Sequence, residues 1–287
     1  MKKMMGILLS MVMLCGLSAG AVAEFDYAQE ITVVSREEGS GTRGAFVELL
    51  GVEKKDESGN KVDYTTEEAV ITNNTNVMMT TVSGNEAAIG YSSMGSLNET
   101  VKALQVNGVD ATVSNIQAGA YEVARPFNIA TKGEVSEVAA DFISFILSKE
   151  GQAVVSENGY IPLENAEAYA GKQVGGKVVV AGSSSVTPAM EKLKEAYAAV
   201  NPNAEIEIQT SDSTTGMRSA IDGVCDIGMA SRALKDSELE AGLTGAVIAM
   251  DGIAIIVNPA NPVRSMTVEE IEQIFTGAVT TWEGFNK

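Results

Sequence analysis

The chain has 287 residues, of which 45% are hydrophobic, no histidine, and a formal net charge of −18. This length and apolar content can form one large domain or two lobes. The missing histidine excludes Ser-His and Cys-His nucleophile pairs and most zinc sites, and an acidic surface repels nucleic acid and anionic membranes. We therefore predict a protein that is no enzyme and has no cofactor, no metal and no nucleic-acid partner.

The first 23 residues have the pattern of a secretory signal. Lysines at positions 2 and 3 precede an apolar segment at 7–17, and Ala21-Val22-Ala23 is a small-residue cleavage site. The apolar segment is too short to span a bilayer. Cys15 follows a leucine where a lipoprotein signal needs a small residue. We predict cleavage near Ala23 and a secreted, extracytoplasmic protein, with an uncleaved or lipid anchor as the alternatives.

The rest of the chain alternates strand and helix patterns, which predicts an α/β fold. Strands are predicted at 31–35, 87–92, 178–181, 205–209, 226–230 and 246–258, and helices at 43–50, 74–82, 135–147, 186–200, 213–222 and 267–275. A capping box at 267–270 marks the start of the last helix. Residues 54–64 form a loop or hairpin, and 164–176 a linker. Cys225 is predicted to be a buried, inert thiol.

A Gly/Ser-rich loop joins the first strand to the first helix and contains Arg36, Ser40, Gly41 and Thr42. A helix N-terminus presents free N–H groups and the positive end of the helix dipole, which suits a small anion. A guanidinium can bind a tetrahedral oxyanion through two hydrogen bonds. The alternative is a polar loop that only caps the helix. Arg43, one residue further along, is expected to face solvent.

Three other segments have related compositions. Gly182–Ser185 and Ser211–Gly216 each lie between a strand and a helix, and Asp226–Arg232 ends in Ser231 and Arg232. A simple helix cap again is the alternative. No Gly-Lys-Ser/Thr follows for a nucleotide P-loop, and no histidine exists to serve a nucleophile elbow. Together the segments predict an anion site built mainly from neutral donors.

Several segments in combination resemble the extracytoplasmic phosphate-binding proteins of ABC-type phosphate importers. They read VVVAGSSSVTP, SDSTTGM, DIGMASRALK, IFTGAVTTW, AIGYSS, YEVARPFNI and SKEGQAVVSENGYIPL, and they span essentially the whole mature chain. The resemblance implies a two-lobed periplasmic-binding-protein-like α/β fold whose interlobe cleft closes on its ligand. It also implies inorganic phosphate and membrane ABC permease subunits as partners, and we expect a monomer.

The segments occur in an order that differs from the one expected for this family. The loop at Arg36–Thr42 should follow the Gly182–Ser185 loop, but here it comes first. Each segment occurs once, which indicates a circular permutation with 164–176 joining the old ends. A truncated piece of a duplicated gene is the alternative. The permuted order implies a split lobe, 24–113 plus 258–287, and a continuous lobe, 114–257.

Carried over position by position, the resemblance implies phosphate contacts from both lobes. The predicted contacts are Arg36, Ser40, Gly41, Thr42, Ser184, Ser185, the backbone at Val186, Ser213, Ser231 and Arg232.

One departure from the family pattern bears on anion selectivity. Many members have an aspartate where Ser231 stands, and that carboxylate accepts a hydrogen bond from the protonated oxygen of phosphate and disfavours fully ionised sulfate. Asp212 is a candidate substitute. The sequence therefore predicts a phosphate-binding protein that delivers its ligand to an importer. A surface oxyanion sensor or adhesion protein, a sulfate-type binder and a phosphoester hydrolase are the alternatives.

Overall fold

The computed structural model describes residues 24–285, so the predicted signal segment lies outside the described residues. The strands are β1 Thr32–Arg36, β2 Glu53–Lys55, β3 Lys61–Asp63, β4 Val70–Thr72, β5 Ala88–Ser93, β6 Lys102–Ala103, β7 Gln105–Val106, β8 Ala124–Lys132, β9 Gly176–Ser183, β10 Ala204–Ser211, β11 Ile227–Ala230, β12 Leu243–Val257 and β13 Ser265–Met266. The helices are α1 Gly41–Leu49, α2 Thr75–Ser83, α3 Val113–Gln117, α4 Glu137–Leu147, α5 Lys149–Glu157, α6 Thr187–Val200, α7 Ser213–Ile221, α8 Asp236–Glu240 and α9 Val268–Phe275. Between residues 24 and 285, no helix combines the length and apolarity needed to cross a membrane.

One continuous sheet connects the two halves of the molecule, with the strand order β10-β9-β11-β8-β12-β5-β1-β4. The strands at each end of this order run parallel, β10, β9 and β11 on one side and β5, β1 and β4 on the other. The two central strands, β8 and β12, are antiparallel to each other and to their outer neighbours. Because the strands at both ends of the sheet are followed by helices, the architecture is α/β, as predicted.

Two large hydrophobic cores define two lobes. The first core contains buried residues from Val33 to Val123 and from Ile253 to Trp282. The second contains buried residues from Phe127 to Ala249. Within residues 24–285, the chain passes between the cores at two places, along β8 and along β12. We call the elements packed on these cores the first lobe and the second lobe.

Most elements with a clear sequence pattern occur where they are predicted. Residues 54–64 form the β2–β3 hairpin, and the capping box opens α9. Cys225 is buried, and burial raises the pKa of its thiol to about 11. The central strand β8 was not predicted, because Pro126 interrupts its pattern. A proline has no backbone N–H to donate. The structure tolerates Pro126 because β11 pairs with β8 only from Asn128 onward, so β11 has no residue opposite Pro126 that would accept such a hydrogen bond.

The segment between α5 and β9, predicted as a linker, is attached to the second lobe by several hydrogen bonds, and the Asp141 carboxylate accepts two of them. Asp141 on α4 accepts hydrogen bonds from the hydroxyls of Tyr169 (2.7 Å) and Tyr197 (2.8 Å) and from the backbone N–H of Lys172 (3.1 Å). Burial raises the pKa of Asp141, but these hydrogen bonds outweigh burial, so the net pKa lies below its ordinary value. The ionised carboxylate therefore stabilises the attachment of the linker.

We expect Asp141→Asn to lower the free energy of unfolding by about 2 kcal/mol, because an amide replaces an acceptor of charge-assisted hydrogen bonds. A lowered pKa contributes stability above the unfolded-state value, about 4, and loses it as the pH falls through the folded-state value. The variant should therefore differ from wild type at pH 7 and converge with it in acid. Urea unfolding at several pH values measures both effects, with exposed Asp110→Asn as the control. Equal stability at pH 7 would contradict the assignment.

Candidate anion site between the lobes

A cluster of hydroxyl groups joins the two lobes. Thr42 Oγ1 lies 2.8 Å from Ser185 Oγ and 3.4 Å from Ser231 Oγ. Ser231 Oγ also lies 3.0 Å from Ser183 Oγ and 3.4 Å from Ser213 Oγ. Each of these five side chains belongs to a residue that is at least nine-tenths buried. We call Thr42, Thr75, Ser183, Ser184, Ser185, Ser213 and Ser231 the hydroxyl cluster.

The cluster lies where several helices begin. Thr42 is in the first turn of α1, Thr75 is the first residue of α2, and Ser213 is the first residue of α7. Ser184 and Ser185 form the turn that leads into α6. The N–H of Thr75 points into the cluster, donating to Ser184 Oγ across the lobes at 3.3 Å. Converging N-termini supply N–H donors and positive dipole ends, so the cluster favours negative charge.

Arg36 brings a positive charge to this cluster. Its Nη2 donates to Ser184 Oγ at 3.2 Å and its Nη1 to Thr75 Oγ1 at 3.4 Å. Its Nε and Nη2 also form a bidentate ion pair with the two carboxylate oxygens of Glu37, at 2.8 and 2.7 Å. Arg36 is only 3% exposed. The two terminal nitrogens of this guanidinium therefore donate to one hydroxyl of each lobe, Thr75 of the first and Ser184 of the second.

Arg232, the second predicted arginine, has a different environment. Its Nη1 and Nη2 bind both oxygens of Glu238 at 2.9 and 2.7 Å, and Nη1 also donates to the Ala233 carbonyl. Burial raises the pKa of Glu238, but the hydrogen bonds from Arg232 and from the Lys235 backbone outweigh it, so the net pKa is lowered. The charge of Arg232 is thus compensated by Glu238, and among the described residues its other side-chain hydrogen bonds go to the Ala233 carbonyl and Thr214 Oγ1, outside the hydroxyl cluster.

Two smaller expectations are wrong. Arg43 does not face solvent: its side chain is 15% exposed, pairs with Asp63 at 2.7 Å and donates to the Arg36 carbonyl at 2.8 Å. Asp212 is not a free acceptor, because its two carboxylate oxygens cap α7 by binding the N–H and the hydroxyl of Thr215. The partner of Arg43 lies 20 residues away and gave no local signal, whereas the N-cap role of Asp212 at the start of α7 is a local pattern that could have been recognised.

The remaining predicted residues lie in or beside the cluster. Ser40 is buried and caps α1, its Oγ accepting the Arg43 N–H at 3.3 Å. Gly41 packs against the other lobe so closely that a Cβ there would lie 2.4 Å from Ser213 Oγ. The N–H of Val186 donates to the Ser183 carbonyl at 3.0 Å, and its side chain is fully buried.

Three residues of the site were not predicted. Thr75 bridges to both Ser184 and Ser185, Ser183 binds Ser231, and Glu37 holds Arg36. Thr75 follows β4 and the N-cap Asn74, so it has the same strand–turn–helix pattern as the predicted loops. That pattern was the available signal, but the three-residue strand is too short to be recognised from periodicity.

Comparison with known proteins agrees with this architecture. The sequence profile described as the PBP superfamily domain matches residues 13–150 and 167–284. The chain belongs to the PBP superfamily. Within this superfamily, it is 57% identical over 258 residues to "Phosphate-binding protein PstS 2" of Streptococcus agalactiae serotype V, covering 90% of this chain and 88% of that protein. The protein of the same name from Streptococcus pneumoniae serotype 4 is 43% identical over 270 residues, covering 94% and 92%.

A solved structure gives the same result for the fold of this PBP-superfamily chain. The crystal structure of a phosphate ABC transporter, phosphate-binding protein from Streptococcus pneumoniae TIGR4 matches with a TM-score of 0.70 and 43% identity. The match covers 90% of this chain and 100% of that one. The sequence alignments run through most of both chains, so these streptococcal relatives share the segment order seen here. A circular permutation and a truncated duplicate are not tested by these alignments, and the permutation stays a prediction.

Proposed function

We propose that this protein captures inorganic phosphate between its lobes and delivers it to an ABC importer. The observation that carries the proposal is the hydroxyl cluster, which gathers donors from both lobes at helix N-termini beside Arg36. The names of the streptococcal relatives, phosphate-binding proteins, support phosphate as the anion. A tetrahedral oxyanion needs donors on all sides, and two converging lobes supply them.

Capture requires the lobes to separate and close again. Direct hydroxyl contacts such as Thr42–Ser185 now join the lobes, and phosphate would replace them with bonds to its own oxygens. The β8 and β12 strands are the two connections between the cores, so they are the natural hinge. The predicted lobe boundaries, 24–113 with 258–287 and 114–257, remain part of this proposal, although the cores themselves change over between Val123 and Phe127 and between Ala249 and Ile253. Binding and closure need no bond to be made or broken in the ligand, so we propose no catalysis.

Location and partner follow from the same proposal. The protein would act outside the cytoplasm after removal of residues 1–23, and would dock as a monomer on membrane permease subunits. Transport by vesicles that contain the permease and its ATPase, with and without this protein, distinguishes delivery from an oxyanion sensor or adhesion role. A sensor would bind phosphate without changing uptake.

Calorimetric titration of phosphate and of sulfate into the ligand-free mature protein tests the binding proposal. We expect a saturable, one-site heat with phosphate. If neither anion binds, the proposal is falsified. Tighter binding of sulfate than of phosphate would favour the sulfate-type alternative instead.

Ser231→Asp tests whether the site can be made to prefer phosphate, which carries a proton, over sulfate, which carries none. Among the hydroxyl cluster, every side chain can either donate or accept, so no cluster residue selects for a protonated oxygen. A carboxylate at position 231 can only accept, and it is repelled by sulfate, which carries no proton. We expect the ratio of phosphate to sulfate affinity to rise about tenfold or more, because a buried unpaired acceptor costs more than 1 kcal/mol. Competition binding of both anions measures this ratio, with Ser231→Asn as the neutral control; an unchanged ratio would remove residue 231 from the site.

A further inference from the structure

A buried ion pair spans the two strands that connect the lobes. Arg125 on β8 and Asp251 on β12 are direct cross-strand partners, and Arg125 Nη2 donates to Asp251 Oδ2 at 3.1 Å. Arg125 is 2% exposed and Asp251 is completely buried. β12 pairs with β8 as far as Gly252 and with β5 from Ile253, so the pair lies at the crossing point.

The two side chains of this pair differ in how many of their polar atoms form hydrogen bonds. Asp251 Oδ1 also accepts a hydrogen bond from Ser93 Oγ at 2.9 Å, and the Gly95 N–H lies 3.5 Å away. In contrast, Nε and Nη1 of Arg125 have no hydrogen-bond partner among the described residues. A buried guanidinium with free donors is costly unless negative charge nearby compensates it.

Comparison with the other arginines near the cleft shows that Arg125 is the least compensated. Arg36 and Arg232 each bind both oxygens of a carboxylate, and Arg43 binds Asp63 at 2.7 Å and a backbone carbonyl. Arg125 has a single bond to its carboxylate, and that carboxylate is shared with Ser93. Within residues 24–285, Arg125 therefore keeps two unpaired donor groups, and one carboxylate shared with Ser93 is the partner of its charge.

The position of Arg125 makes the anion site the candidate for a group on which this charge acts. Ala124, Arg125 and Pro126 line an interlobe cavity of about 710 Å³, together with Gly44 on α1 and Arg232. The same helix α1 carries Thr42 into the hydroxyl cluster. Strand β5 links the ion pair to Arg36, because Ser93 binds Asp251 and Tyr91, two residues earlier on the same strand, accepts the Arg36 N–H at 3.0 Å. Burial is the main cause of a lowered pKa at Arg125, and the charge of Arg36 adds to the effect.

We propose that Arg125 is a positioning residue of the anion site, whose incompletely paired buried charge favours the anion-bound closed form, and that Asp251 limits this effect. The proposal rests on the proposed phosphate-binding function. Arg125 acts through its field and through the hinge strands, and it touches no ligand. Because the interior screens charge weakly, this effect persists at salt concentrations that abolish surface effects.

The test is the order of phosphate affinities in four variants of the full mature chain, measured by calorimetry at one pH and in high salt. Arg125→Gln should weaken phosphate binding about tenfold, the order of magnitude expected when one buried charge is removed from the surroundings of an anion. Asp251→Asn should strengthen binding, the double variant should return toward wild type, and Arg125→Lys should keep most of the affinity. Arg218→Gln, which removes an exposed charge, is the control and should have no effect.

Opposite signs for the two single variants distinguish this role from a structural one, because a structural role makes both variants less stable and strengthens binding in neither. Circular dichroism and thermal unfolding establish which variants fold. If Arg125→Gln does not fold, Asp251→Asn decides alone, and equal or weaker phosphate binding overturns the inference. Absence of phosphate binding in wild type would reject the proposed function, whereas wild-type binding without the predicted order would reject only the role of Arg125.

Discussion

Arg36→Ala is expected to weaken phosphate binding by at least about 2 kcal/mol, or about 30-fold, because a buried charge-assisted donor is lost from the anion site. Arg36 is the guanidinium that contacts the hydroxyl cluster, through Ser184 and Thr75. Its removal also leaves the Glu37 carboxylate without its partner beside the site. Repulsion between that carboxylate and phosphate adds to the loss.

A second variant separates these two contributions. Arg36→Ala/Glu37→Ala removes both charges, so it should bind phosphate more tightly than Arg36→Ala alone but less tightly than wild type. Arg218→Ala, at an exposed arginine paired with Asp222, controls for the change in net charge. Calorimetric titration of all three variants gives the comparison. An Arg36→Ala variant that binds as wild type does would exclude Arg36 from the site.

Gly41→Ala is expected to block closure of the lobes while leaving the fold intact. A Cβ at position 41 would lie 2.4 Å from Ser213 Oγ and 2.9 Å from Ser231 Oγ, both on the opposite lobe. Relieving such overlap costs about 1–3 kcal/mol, so phosphate affinity should fall roughly 10- to 100-fold. The clash exists only when the lobes meet, and alanine favours helix α1 by up to about 1 kcal/mol over glycine. Thermal stability without ligand should therefore stay equal or rise.

The chain offers a matched control for this variant on the same helix. Gly44 also lies in α1, but a Cβ there would come no closer than 4.0 Å to Arg232 Cδ. Gly44→Ala should gain the same helical stability without losing phosphate affinity. Small-angle X-ray scattering with and without phosphate then reports closure, which we expect in Gly44→Ala but not in Gly41→Ala. Equal affinities in the two glycine variants would contradict the closure mechanism.

The sequence predicted the elements whose patterns are local. β1 and α1, β9 and α6, and β11 each combine an apolar strand with a Gly/Ser turn, and these signals do not depend on distant residues. The same local logic found Thr42, Ser185 and Ser213, because Ser/Thr at a helix start is a pattern readable over a few positions. It overlooked Thr75 because the strand before it, Val70–Thr72, is too short to show alternation.

Long-range pairing decided the roles of the arginines. Arg36 and Arg232 have similar local patterns, since Arg36 is the last residue of β1, Arg232 lies two residues after β11, and each follows a serine. Glu238 on α8 accepts hydrogen bonds from both terminal nitrogens of Arg232. Arg36 pairs with Glu37 and still donates to Ser184 and Thr75. Arg125 gave no signal, because its partner Asp251 is 126 residues away.

The sequence by itself determined an acidic α/β protein with Gly/Ser turns at helix starts and no histidine chemistry, because composition and local periodicity fix those properties, whereas the two lobes were expected only from the family resemblance. The tertiary structure decided which turns meet, which charges remain uncompensated, and that β8 and β12 carry the crossing between the lobes. Those properties depend on contacts between residues far apart in the chain, such as Thr42 with Ser185, whose approach is set by sheet order and packing.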